Sequence, residues 1–192
     1  MPIIQKLTGV FKKPTPILRA GHPTLRIKAL PVKPTELKSY QFQDVVRQMT
    51  RAFESAYTPT IGLSAPQIGH PMRLIAYRIE DPKYLKEHKI EPVPLTFIVN
   101  PTLKVLSSQT STDYETCESV PSYNALVKRA TEVKVDGLDL EGKEITVNAK
   151  GVVARVLQHE VDHLDGLLYV DKMEPRSMRH DKYIDKYELR SQ

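Results

Sequence analysis

The stretch Gln158-His159-Glu160-Val161-Asp162-His163 places two histidines four residues apart in a helical pattern, and nothing else in the chain restricts its fold as tightly. Residues four apart on an α-helix lie about 40° apart around the axis and roughly one turn along it. Val152, Val156, His159 and His163 follow steps of four, three and four, so the histidines continue the buried stripe of this helix. A single histidine on such a stripe reads as a hydrogen-bonded core residue. Two at this spacing, with Glu160 beside the first, read as H-E-x-x-H, a pair of imidazoles able to reach one metal ion. Glu160 is placed to exchange a proton with water on that ion, and a carboxylate is costly to bury unless it is paired or used. The combination points to hydrolysis.

The third ligand decides the class of hydrolase. Catalytic sites of this kind commonly have three protein ligands and keep a fourth position for water. The peptidase pattern H-E-x-x-H-x-x-G-x-x-H is matched through Gly166 and then fails, because Tyr169 stands where the third histidine belongs. Glu174 and Glu188 are downstream carboxylates without a companion motif. Cys117 is the remaining soft donor, and on its own it reads as a small buried apolar side chain. Spacing alone leaves the choice open.

Length fits one domain: 192 residues can bury a single sizeable core. One cysteine excludes an internal disulfide and suits a reducing or redox-neutral compartment. No apolar run approaches the roughly 20 residues of a membrane-spanning helix. The net charge of +5 is uneven, with seven Lys or Arg in residues 1–35 and no acid before Glu36. An acid-poor basic start fits the remnant of a transit peptide, and equally a solvated basic arm. It also favours encounter with an anionic body such as a ribosome, a transient contact, although no motif for specific nucleic-acid binding is present.

Apolar positions Phe42, Val45, Val46, Met49, Phe53 and Ala56 predict an amphipathic helix between Glu36 and Tyr57, after a proline-punctuated, irregular start. Met72–Ile79 and Leu95–Val99 are strand-like, with a proline-rich insert between them. Glu132–Leu138 and Glu144–Ala149 alternate around Asp139-Leu140-Glu141-Gly142 and predict a β-hairpin. A second helix runs from about Val152 to Leu164 and stops at Gly166. Helix, strands and helix in that order indicate an α+β domain. The expected division is a basic extension over 1–15, a catalytic domain over 16–175 and a charged tail over 176–192, the last most simply a solvated segment.

Two further segments bear on the open ligand. One reads Ile61-Gly62-Leu63-Ser64-Ala65-Pro66-Gln67-Ile68-Gly69, the other Tyr114-Glu115-Thr116-Cys117-Glu118-Ser119-Val120. With the histidine helix they resemble, in order and spacing, the three signature motifs of peptide deformylase: G-x-G-[LI]-[AS]-A-x-Q, E-G-C-[LE]-S and Q-H-E-x-D-H. The similarity runs from about Pro16 to Met173. It implies antiparallel and mixed β-sheets around a central H-E-x-x-H helix, and removal of the formyl group from N-formylmethionine of nascent peptides with release of formate. It also implies one divalent metal held by Cys117, His159 and His163, commonly iron(II), with zinc, cobalt or nickel able to take its place. Glu160 would then serve as the proton carrier. The Gln67 amide and the backbone N–H of Glu118 would meet the formyl oxygen. Ile61 and Gly62 would form the edge that takes the peptide as an added strand, and Val156 with His159 the methionine pocket.

The chain departs from the motifs at three places. Thr60 replaces the first glycine, Thr116 replaces the glycine before the cysteine and asks for a different local dihedral, and Glu118 replaces the leucine usual in bacterial enzymes. A carboxylate at Glu118 would face the substrate entrance and disfavour acidic peptides. Glutamate there is a feature of mitochondrial-type animal members, which points to the mitochondrial matrix, or to the cytoplasm if the chain is bacterial. The competing reading of these departures is a catalytically weakened homologue that binds nascent chains or ribosomes.

Overall fold

Leu74–Ile79 is buried along almost its whole length, and a strand can be apolar on both faces only where its sheet is covered on both sides. In the computed structural model, which describes residues 16–55, 60–184 and 186–187, that condition is met. Strands β1 (Gly62–Ser64), β2 (Leu74–Ile79), β3 (Val93–Val105), β6 (Glu132–Leu138) and β7 (Glu144–Lys150) form a five-stranded sheet in the order β1-β2-β3-β6-β7. Strands β4 (Thr110–Cys117), β5 (Val120–Ala130) and β8 (Arg179–His180) form a second sheet in the order β4-β5-β8. Neighbouring strands are antiparallel throughout the described residues. Helices α1 (Tyr40–Ser55), α2 (Pro82–His88) and α3 (Gly151–Leu164) complete the α+β arrangement.

Side-chain alternation divides β2 between two cores. Leu74 and Ala76 join Leu63, Val99 and the Phe42, Val45, Val46 and Met49 stripe of α1. Ile75 and Tyr77 join Ile98, Val133, Val135 and the Ala154, Leu157, Val161 and Leu164 face of α3. Each large apolar side chain so buried contributes about 1.5–3 kcal/mol. Helix α3 also touches β5, so it lies between the two sheets and carries its histidines into the middle of the molecule.

Three expectations need correction. The first helix starts at Tyr40 rather than Glu36, because Pro34–Glu36 forms a separate 3-10 turn and the Ser39 hydroxyl accepts the Phe42 N–H at 3.2 Å. Ala56 and Tyr57 lie outside the described residues. The strand expected at Leu95–Val99 extends from Val93 to Val105 through an irregularity at Asn100, whose φ is +51°. The proline-rich insert contains α2, started by the Asp81 carboxylate, which accepts the Tyr84 N–H at 2.8 Å. The hairpin of β6 and β7 and the end of α3 are as expected, with Gly166 at φ +76°. A Cβ on Gly166 would lie 2.9 Å from the Arg26 carbonyl carbon, so this glycine lets the N-terminal segment pack against the helix end. Part of the charged C-terminal segment is drawn into the fold, since His180 pairs with Tyr123 in β5.

Candidate metal centre

Strand β4 ends at Cys117, and Glu118-Ser119 make a two-residue turn that returns the chain at Val120, the partner of Cys117. A register shift between Glu115 and Cys117 turns the end of the strand toward α3. Cys117 Sγ then lies 3.3 Å from His163 Nε2, and Glu115 Oε2 lies 3.0 Å from His159 Nδ1. One helical turn separates the two histidines, whose Nε2 atoms are 3.2 Å apart. The sequence-predicted donors Cys117, His159 and His163 are thus brought together, all within 4.8 Å of one another. A tetrahedral ion with one thiolate and two imidazole ligands holds their donor atoms about 3.3–3.6 Å apart. The soft donor set and its spacing fit one divalent ion. Among the other candidates, Glu174 is exposed and lies outside this cluster, and Glu188 falls outside the described residues. Tyr169 is fully buried, its ring stacked 6.3 Å from His159 and its hydroxyl donating to the Tyr123 carbonyl at 2.9 Å.

Glu115 is the site residue that sequence reasoning left without a role. Its carboxylate is buried with Arg129 Nε at 2.8 Å, Arg155 Nη1 at 2.9 Å and His159 Nδ1 at 3.0 Å. Burial opposes its charge, but the hydrogen bonds from Arg129 and His159 outweigh burial and hold the carboxyl well below its ordinary range. A carboxylate on the far nitrogen of a ligating imidazole fixes the ring's orientation and its tautomer. The signal available in the sequence is that Glu115 stands at the glutamate of E-G-C, two residues before Cys117. Burial also disfavours charge on His159, yet Cys117 and Glu115 hold its pKa well above the ordinary histidine value. Burial and the neighbouring His159 push His163 well below that value. An ion entering the cluster therefore competes with a proton on His159.

The remaining predicted residues surround the same centre. Gln67 is buried in a 3-10 turn, its Oε1 accepting the Ser64 N–H at 2.8 Å and its Nε2 lying 3.6 Å from Cys117 Sγ. Glu160 is 3% exposed, and its Oε2 has no hydrogen-bond partner among the described residues. Burial pushes its pKa up to about 7, so it can gain or lose a proton near neutrality. A Cβ on Gly62 would lie 2.8 Å from Glu160 Cδ, so the close approach this glycine permits is that of the Glu160 side chain. Ile61, Gly62, Gln67, Glu118, Val156 and Glu160 all line one cavity of about 500 Å³. The irregular segment Leu18–Ala20 straps its rim: the Leu18 N–H donates to the Gln67 carbonyl at 2.8 Å and the Ala20 N–H to the Ser119 carbonyl at 2.7 Å.

A family model described as polypeptide deformylase matches residues 14–179. The chain belongs to the polypeptide deformylase family. It is 44% identical over 178 residues to peptide deformylase 1A, chloroplastic/mitochondrial, of Arabidopsis thaliana, covering 88% of this chain and 65% of that protein. It is 36% identical over 168 residues to the mitochondrial peptide deformylase of Homo sapiens, covering 84% of this chain and 68% of that protein. The chain therefore spans just under two thirds of the plant relative's length. A class I type b peptide deformylase from Acinetobacter baumannii, crystallised with Met-Ala-Ser, aligns with a TM-score of 0.74 at 31% identity, over 82% of this chain and 97% of that one. Against the deformylase motifs, Thr116 needs no special backbone, since it is not among the described residues with positive φ. Thr60 and Glu118, the other two departures, touch: the Thr60 hydroxyl donates to Glu118 Oε1 at 3.4 Å.

Proposed function

We propose that this protein is a metal-dependent peptide deformylase that hydrolyses the formamide bond of N-terminal N-formylmethionine and releases formate. The observation that carries this reading is the buried Glu160 carboxylate, whose Oε2 has no hydrogen-bond partner among the described residues, beside a three-donor cluster on one cavity. Cys117, His159 and His163 would hold one divalent ion, for which iron(II) is our assignment and zinc, cobalt or nickel a substitute, since a thiolate with two imidazoles suits each. When bound, such an ion supplies a Lewis acid that polarises the carbonyl and makes water a nucleophile near neutral pH.

The chain's own residues perform the rest. Glu160 takes the proton of the attacking water and returns it to the amine nitrogen of the departing methionine. The Gln67 amide, oriented through Ser64, and the backbone N–H of Glu118 donate to the formyl oxygen as its negative charge grows, a contribution of about 3 kcal/mol per donor. Strand β1 lies at the edge of its sheet and lines the cavity at Gly62, which suits addition of the peptide as a further strand. Val156 and His159 form part of the methionine pocket. The plant and human relatives, together with Glu118, support placement in the mitochondrial matrix.

The test is formate release from formyl-Met-Ala-Ser by protein loaded with iron(II) or cobalt(II). Glu160→Ala should lower the rate by roughly 10²- to 10⁴-fold with metal retained. Equal rates for the variant and the parent would remove the proposed role of this carboxylate.

A further inference from the structure

Tyr84 is absent from the deformylase motifs and is carried by α2, an element whose sequence gave no functional signal. Asp81 caps the helix through the Tyr84 N–H, and Lys89 at φ +52° ends it, so both ends of α2 are fixed. Tyr84, Leu85 and His88 form its half-buried face, and the Tyr84 and His88 rings lie 4.2 Å apart. Tyr84 lines the cavity together with Val152, Arg155, Val156 and His159, all on one face of α3.

Its place along that face can be read from its neighbours. Tyr84 shares the cavity wall with Val152 and Arg155 of the first half of α3, and the charges of Arg155 and Asp113 act on its hydroxyl. The metal donors are on the second half. From His159 back to Val152 the helix rises about 10 Å, longer than a methionine side chain, so something must close the far end. The phenol is kept neutral, since burial and the nearby Asp113 and Glu87 push its pKa up to about 12.

Resting on the deformylase reading, we propose that Tyr84 is a specificity-determining residue: its ring closes the far end of the methionine pocket and sets the length and width of the side chain admitted. An aromatic wall also gives a thioether a favourable sulfur–ring contact, which an all-carbon chain of equal length lacks.

The experiment compares kcat/KM for formyl-Met-Ala-Ser, formyl-norleucine-Ala-Ser and formyl-Phe-Ala-Ser in the metal-loaded parent, Tyr84→Phe and Tyr84→Ala. We expect Tyr84→Ala to lose about tenfold on formyl-Met, mainly through KM. It should also lose the methionine-over-norleucine preference and gain on formyl-Phe by about tenfold relative to formyl-Met. Tyr84→Phe should keep the parental ratios, because the ring and not the hydroxyl closes the pocket. Metal content and melting temperature, measured on all three, identify a variant that merely unfolds; Tyr84→Leu then replaces the alanine variant, with the same loss of methionine preference expected. Unchanged ratios in a folded, metal-loaded Tyr84→Ala or Tyr84→Leu protein would overturn the proposal. Failure of the deformylase reading is distinct: the loaded parent would then turn over none of the three peptides.

Discussion

Cys117 is a single sulfur atom among buried groups, and its value to the site follows from what would remain without it. Two imidazoles on one helix turn offer two ligands, and one of them is biased toward holding a proton by Glu115. Cys117→Ala should therefore abolish stoichiometric metal binding, measured as metal per chain after dialysis; one equivalent retained would place the third ligand elsewhere. Glu118 acts differently. Its backbone is pinned by Arg19, whose guanidinium donates to the Glu118 carbonyl, and its carboxylate accepts the Thr60 hydroxyl at the cavity wall. Removing that charge while keeping the backbone N–H isolates the carboxylate's effect. Glu118→Leu should raise turnover roughly two- to fivefold, the equivalent of a screened interaction of about 0.5–1 kcal/mol, with metal content unchanged. A lower or equal rate would show that the carboxylate imposes no penalty.

At the scale of elements, β1 and α3 meet at Gly62 and Glu160, where the edge strand comes close enough that a methyl group would collide with the carboxyl. Gly62→Ala should displace the Glu160 side chain and lower kcat by at least tenfold, while metal content and urea midpoint change little; a fully active variant would show that Glu160 can move without cost. The elements that carry chemistry were legible to different degrees. The α3 stripe was plain, because a 3.6-residue period spelled by Val152, Val156, His159 and His163 needs no partner to be recognised. The hairpin of β6 and β7 was plain too, since an Asp-Leu-Glu-Gly turn separates two alternating strands. The hairpin of β4 and β5 was not, because its Glu118-Ser119 turn carries no glycine or asparagine, and its strands bury residues through contact with α3 rather than by their own alternation. For the same reason Glu115 was visible only as a letter of a motif, and its three partners come from β5 (Arg129) and α3 (Arg155 and His159), both distant in sequence. Tyr84 gave no signal, since an insert helix of seven residues has too few turns to display a period.

Across the whole molecule, Glu115 and Arg129 tie the three-stranded sheet to α3, and through α3 to the five-stranded sheet. Arg129 bonds Glu115 and Asp162 at once, and Lys172 adds a second cation to Asp162 at 2.6 Å. Glu115, Arg129 and Asp162 are buried, so taking away one of them leaves an uncompensated charge rather than simply deleting a contact, at a cost of about 3–5 kcal/mol. The pH dependence follows from Glu115. Its folded pKa lies below the ordinary value of 4.5 expected of the unfolded chain, so at pH values between the two the unfolded state binds more protons. The stability it contributes is therefore complete above that ordinary value and is lost as pH falls from there toward the folded pKa. Glu115→Gln, compared with the parent as metal-free proteins so that ligand loss does not enter, should have a lower urea midpoint at neutral pH. Below about pH 4.5 the two midpoints should converge, because the parent then sheds the advantage the variant never had. Midpoints that stay a constant distance apart through the acid range would show that the Glu115 charge does not hold the sheets together, and that packing around α3 alone does so.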